Sequence, residues 1–295
     1  MNNDFRLITD TACDIPKEEA QKRGIVKIPI PFTVGDKALY EDVDFSPFEF
    51  YDIMENEKEL PKTSHIPSFV FLEEYEKAME DGVKHVFHVT INSHGSAMYD
   101  SALMAKSMFF EEHPESSMTI DIVDSLTYTV GYGLGLLLAS DIIEKGTSRE
   151  ELLSFFESYF KNLNVYFSVY DLKTVKKSGR VSCTAAFVGE VLGLRPLIYI
   201  DNGDPIIHSK VRGDKSVIPA LISLAKEELK GQPYCVAFAK NKETTGMEFL
   251  SEIEKAVGYP PYKAYPIGAA IALNSGTNMI GFCSSSFDSK FNQKL

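Results

Sequence analysis

The residues with the most chemistry to offer stand in short polar turns. "TDTACD" (9–14), "KTSHIPS" (62–68), "NSHGS" (92–96) and "VDSLT" (123–127) gather hydroxyls, carboxylates, an amide and imidazoles. The third follows "HVFHVTI" (85–91), an apolar, β-branched run that reads as a strand, and it opens a segment that reads as a helix. Asn92, Ser93, Gly95 and Ser96 therefore occupy a strand-to-helix turn. The first N–H groups of a helix have no partner within it, and the helix dipole favours negative charge there, so such a turn can hold an anion. No lysine or arginine lies inside it. The anion it suits is one that hydroxyls and backbone amides can hold unaided.

Other chemistries are weaker in the sequence. Ser96 with His94 or His65 as base could form a nucleophilic pair, but a triad is defined by geometry rather than by nearness in sequence. A nucleophile elbow requires Gly two residues before the serine, and His94 stands there. His85, His88 and His94 could be metal ligands, yet positions 85 and 88 point to opposite faces of a strand. No phosphate-binding GxxxxGK[ST], HExxH or EF-hand pattern is present. "GYGLG" (131–135) lies inside a helical pattern, where glycines permit close packing. No cofactor is implied. Basic residues gather later in the chain, in "KKSGR" (Lys176, Lys177, Arg180), at Arg195 and in "SKVRGDK" (Lys210, Arg212, Lys215). They fit either a solvated face or a contact for an acidic partner or phosphorylated ligand.

The elements that must position these turns alternate in type. Strands are predicted at 5–9, 25–34, 85–91 and 119–125, and helices at 16–24, 46–56, 68–82 and from "TVGYGLG" onward. Ser46 and Ser68 are the expected caps, with Pro47 at a first helical position. Repeated β–α alternation predicts a parallel sheet with helices on both faces. The second part begins with an amphipathic helix (148–162, capped by Ser148) and a strand "NVYFSVY". Helix-like "DLKTVKKSG" and "CTAAFVGEVLG" come next, then a hairpin turning at Asn202-Gly203. A helix over about 215–230, the strand "YCVAFAK", a helix over 243–257 and the strand "MIGFCSS" complete it. The expectation is an α/β protein of two domains, 1–155 and 156–295, the second also α/β.

A chain of 295 residues can bury a sizeable core. Its net charge of −12 argues against nucleic-acid binding through overall charge. Cys13, Cys183, Cys235 and Cys283 form no CxxC pair and read as buried free thiols in a reducing cytoplasm. The N-terminus lacks a signal-peptide pattern, and "GLGLLLA" is too short to span a bilayer. A cytoplasmic protein without a membrane span is expected.

Taken in order, several segments resemble the bacterial DegV family of fatty-acid-binding proteins. "DTACDIP" (10–16) is similar to its D-S-T-x-D-[LI]-P, "KTSHIPS" to K-T-S-Q-P-S, and "SAMYDSA" (96–102) to S-G-T-Y-Q-S-A. "VDS" (123–125) matches as it stands, and "DLKTVKKSGRVS" (171–182) and "LGLRPLI" (192–198) resemble later stretches. "SKVRG" (209–213) and "IGAAIALNSGTNMIG" (267–281) match more loosely. The resemblance implies a two-domain DegV-like fold with a buried long-chain fatty acid as ligand. It implies a non-catalytic protein that presents the acid to a separate ATP-dependent kinase for acyl phosphate formation. Thr63, Ser64 and Ser96 become carboxylate-binding candidates, with Asn274 where the family's H-x-G-P-G segment commonly has histidine. Arg180, Lys210 and Arg212 become candidates for contact with the kinase or the phosphate. Ala97-Met98 replaces the family's small Gly-Thr, and Asn274 cannot carry a histidine's charge, which bears most on coupling to a kinase. The alternative from the residues alone is a stand-alone serine hydrolase or small-molecule phosphotransferase.

The physics agrees in outline. A buried acyl tail gains about 0.8 kcal/mol per methylene, and its carboxylate needs a few donors to avoid an unpaired buried charge.

Overall fold

Two main sheets form around the alternating pattern, with a glycine-rich helix between them and a small third sheet beside them. The computed structural model describes residues 4–57, 59–170, 172, 175 and 193–295, without the side chains of 292 and 293. Strands β1 (Phe5–Asp10), β2 (Ile25–Ile28), β6 (His85–Thr90) and β7 (Thr119–Asp124) make a parallel sheet in the order β2-β1-β6-β7. Parallel neighbours need crossovers, supplied by α1 (Lys17–Lys22) between β1 and β2 and by α4 (Met98–Glu112) between β6 and β7. Helices cover both faces. His88 of β6 meets Phe71 of α3 (Ser68–Glu80) at 4.6 Å between ring centroids. Phe87, on the opposite face, meets Phe156 of α6 (Arg149–Lys161) at 5.8 Å.

The second sheet is mixed. It comprises β8 (Leu163–Val169), β9 (Leu194–Asp201), β10 (Asp204–Arg212), β11 (Tyr234–Phe238), β12 (Lys263–Pro266) and β13 (Met279–Ser285), in the order β10-β9-β8-β13-β11-β12. Only the β11–β12 pair is parallel among the described strands of this sheet. Helices α7 (Val217–Glu228) and α8 (Glu243–Val257) cover its outer face through Leu221, Phe249 and Ile253, which cluster with Phe282 of β13. Between the sheets runs α5 (Val130–Glu144), touching β1, β11 and β13. Its glycines are there for contact: a Cβ on Gly133 would lie 2.4 Å from the Cys13 carbonyl oxygen.

The cap residues behave as their chemistry directs. Ser46 and Ser148 each form a capping box, with Glu49 opening α2 (Pro47–Asn56) and with Glu151 opening α6. In α6 the apolar residues Leu152, Phe155, Phe156 and Tyr159 recur at helical spacing and are the buried ones. Asn202 and Gly203 both take positive φ (46° and 90°), the requirement of a tight hairpin turn.

Three expectations change. Residues 25–34 are not one strand. After β2 the chain leaves the parallel sheet and pairs as β3 (Pro31–Val34) with β4 (Lys37–Tyr40) and β5 (Lys62–Thr63) in a small antiparallel sheet. Pro29 and Pro31 cannot donate to a ladder, so the run breaks there. Ser68 does not cap α3: it is the first helical residue, and Pro67 holds the cap position with no side-chain bond. Strand β12 and helix α9 (Ala269–Ser275) were not predicted. "DLKTVKKSG", "CTAAFVGEVLG", Arg180 and Cys183 lie outside the described residues, apart from residues 172 and 175. Cys13, Cys235 and Cys283 are buried free thiols. No helix among the described residues is long and apolar enough to cross a membrane.

Candidate functional site

A cavity of about 660 Å³ lies between the two sheets. That falls inside the range of roughly 300–1,000 Å³ typical of small-molecule sites. One set of walls comes from polar turns of the parallel sheet and of the small antiparallel sheet. The end of β5 and the loop after it bring Thr63, Ser64 and His65, and the loop after β6 brings Ser93, His94, Gly95 and Ser96. The start of α5 adds Tyr128, Thr129 and Val130. The turn after β6 is at the carboxyl end of the parallel strands, where open α/β sheets bind ligands. The second sheet and α9 supply mostly apolar walls, among them Val165, Phe167, Ala237, Ala270, Ile271 and Met279.

The predicted headgroup residues meet on this one cavity. Thr63, Ser64, Ser96 and Asn274 all line it, although 211 residues separate Thr63 from Asn274 in sequence. Among the described residues the Ser96 hydroxyl oxygen accepts only a long bond from the Met98 N–H at 3.4 Å. No hydrogen bond of the Thr63 hydroxyl occurs among the described residues, and the residue is half-buried at the end of a two-residue strand. Asn274 is more committed, since its Nδ2 donates to the Ala270 carbonyl at 2.7 Å within its own helix. Lys210 and Arg212 are exposed on edge strand β10, outside the cavity wall.

The other two polar turns act one layer back. Asp10 Oδ2 accepts the Ile91 N–H at 3.3 Å, and Asp124 Oδ1 accepts the Ser93 N–H at 3.1 Å, so both carboxyls fix the loop that carries Ser96. Thr11 Oγ1 accepts the N–H of Ile30, another cavity residue, at 3.1 Å. Burial raises the Asp10 pKa, while the hydroxyl of Tyr132 and the amides of Ile91 and Ala12 pull it back.

A clasp joins the sheets beside these loops. Buried Asn92 donates through Nδ2 to the Tyr128 hydroxyl at 2.6 Å and to the Gly203 carbonyl at 2.8 Å, and its Oδ1 accepts the His94 N–H at 3.1 Å. Gly203 is the hairpin tip of the second sheet, and a Cβ there would stand 2.6 Å from Asn92 Oδ1. Ile200 and Pro205, on either side of that tip, line the cavity. Asn92 was read as a turn residue, and nothing in the sequence marked its partner 111 positions away.

The alternatives find little support. Ser96 makes no hydrogen bond to His94 or His65 among the described residues, although all three line the cavity. His94 Nδ1 instead faces Asp204 Oδ1 at 3.5 Å. His85 bonds Thr119, and His88 bonds Tyr75 on the other face, its pKa pulled down to about 3 by burial.

Fold and site together define an α/β protein whose internal cavity is apolar on one side and hydroxyl-lined on the other. The model of the DegV family, described as an uncharacterised protein family, matches residues 4–286, and the chain belongs to that family. A Thermotoga maritima relative named "Fatty acid-binding protein" is 28% identical over 94% of this chain and 96% of its own length. The crystal structure of a stearic acid-binding protein from Eubacterium ventriosum matches with TM-score 0.88 at 25% identity, covering 98% of this chain and 99% of that one. The Fatty Acid Kinase B3 protein of Streptococcus pneumoniae, loaded with linoleic acid, has the same fold, with TM-score 0.82 at 22% identity over 96% of this chain and 99% of its own.

Proposed function

We propose that this chain binds one long-chain fatty acid in the cavity between the sheets, with Thr63 and Ser96 donating to its carboxylate. Ser64 and Asn274, which line the same cavity, are further donors. The chain then presents the carboxylate to a separate cytoplasmic kinase that forms the acyl phosphate, and Arg180, Lys210 and Arg212 contact the kinase or the phosphate. The observation that carries the reading is one cavity with apolar walls, onto which open the hydroxyl-bearing turn after parallel strand β6 and the hydroxyl-bearing end of β5. The chemistry fits both parts of the ligand. A tail gains about 0.8 kcal/mol per buried methylene, and hydroxyls with opening helix amides hold a single negative charge. Relatives named for fatty-acid binding support the ligand class.

Lipid extraction with native mass spectrometry of the purified protein tests it. A bound mass of one fatty acid per chain is expected. Protein with no co-purified acid and no uptake of added oleic acid would end this reading.

A further inference from the structure

Beside the helix that carries Asn274, the fold buries more carboxyl groups than its cations can neutralise. Asp14 ends the turn after β1 in a left-handed conformation (φ 56°), and Glu41 follows β4. The Gly268 N–H donates to Asp14 Oδ1 at 2.9 Å and the Ala269 N–H to Glu41 Oε1 at 2.6 Å. Both oxygens lie 2.6 Å from the point where a Cβ on Gly268 would sit, so the two carboxyl groups converge on the start of α9. Asp14 Oδ2 also accepts the Thr129 hydroxyl at 2.5 Å. Thr129 holds a positive φ of 52°, unusual for a β-branched residue. Thr129, Ala270, Ile271, Asn274 and Ser275 are all cavity residues, so the pair fastens two walls of the site.

The surroundings set its charge. From β2 comes Lys27, whose ammonium bonds Asp42 at 2.6 Å. Asp10 and Cys13 stand on β1 and the turn after it, Tyr132 on α5 and Tyr51 on α2, while α9 offers no titratable side chain. One buried ammonium, that of Lys27, thus stands among Asp10, Asp14, Glu41 and Asp42, while from α1 the exposed Lys17 ammonium reaches only the Asp42 backbone carbonyl at 2.7 Å among the described residues. Glu41 Oε2 has no hydrogen-bond partner among the described residues. Burial raises Asp14 well above the usual carboxylate range and pushes Glu41 up to about 7.

We infer that Asp14 and Glu41 share a proton and are positioning residues for the cavity wall: with it they hold the start of α9, and losing it drives them apart, loosens α9 and speeds ligand release. The inference deepens the fatty-acid reading, and its release arm rests on that reading.

Amide hydrogen exchange of the ligand-free full chain at about pH 6 and about pH 8, corrected for intrinsic rates, reads the pair directly. A group titrating near neutrality changes its protonated fraction roughly tenfold over that span, and protection of residues 268–275 should fall by a similar factor. Glu41→Gln, with Asp14→Asn as the second variant, should abolish the change. Protection that is constant in wild type, or that falls equally in the variants, overturns the shared proton. Stopped-flow release of oleic acid should quicken with pH in wild type and not in Glu41→Gln; comparing the two cancels titration of the acid itself. Equal pH dependence in both overturns the link to release. If oleic acid does not bind at all, the ligand reading fails, while the exchange arm still judges the carboxyl pair.

Discussion

Removing the Ser96 hydroxyl should weaken fatty-acid binding without weakening the fold. Among the described residues that hydroxyl only accepts a bond from Met98 N–H at the long distance of 3.4 Å, so Ser96→Ala gives up little internal structure. Toward a ligand the balance differs. A hydrogen bond to a charged group contributes about 1.5–3 kcal/mol, which corresponds to a loss of roughly 10- to 150-fold in affinity. Thr63→Ala should act alike, since its hydroxyl forms no bond to give up among the described residues. Two donors on one carboxylate are coupled, so the double variant should lose less than the sum of the singles. Titration of oleic acid by calorimetry or fluorescent displacement gives the affinities, and urea unfolding checks the fold. The matching long-chain alcohol, which has no carboxylate, supplies the control: its affinity should be nearly the same in wild type and variants. Unchanged oleic acid binding in both single variants would refute the headgroup assignment, as would equal losses for acid and alcohol.

Other outcomes follow from the same geometry. Across saturated acids of increasing length, affinity should rise about fourfold per methylene until the cavity is filled; a flat series in displacement assays would place the tail outside the apolar walls. Asn92→Ala removes the 2.8 Å donor of the buried Gly203 carbonyl, leaving it the Tyr128 hydroxyl at 3.4 Å, and should cost about 1–2 kcal/mol of stability by urea unfolding. Gly268→Ala puts a methyl 2.6 Å from both Asp14 Oδ1 and Glu41 Oε1 and should cost about 1–3 kcal/mol, with faster amide exchange in α9.

Local signals were legible in the sequence where a local cause decides the structure. Apolar β-branched runs became β1, β6 and β7; capping boxes at Ser46 and Ser148 opened helices; Asn202-Gly203 turned a hairpin. The break in 25–34 was visible as Pro29 and Pro31, but alternating apolar residues outweighed them in the reading. Strand β12 spans only Lys263–Pro266 and exists because β11 offers it a parallel edge, which no local pattern announces. At the site, the hydroxyl-bearing turns stood out, and Thr63 and Ser96 do share a cavity. The supporting layer did not stand out. Asp14 and Glu41 lie 27 positions apart and meet only through Gly268 and Ala269, and the clasp of Asn92 to Gly203 joins separate sheets. Such contacts are products of the tertiary fold, and a single sequence carries no periodicity that encodes them.

The most direct test of the account is a crystal structure of the protein as purified, with whatever lipid it carries. Elongated density should run between the two sheets along Phe167, Ile271 and Met279 and end with a carboxylate in hydrogen-bonding reach of Thr63 and Ser96. A lipid whose carboxylate lies elsewhere, or an empty cavity in protein shown to hold a fatty acid by mass, would contradict it.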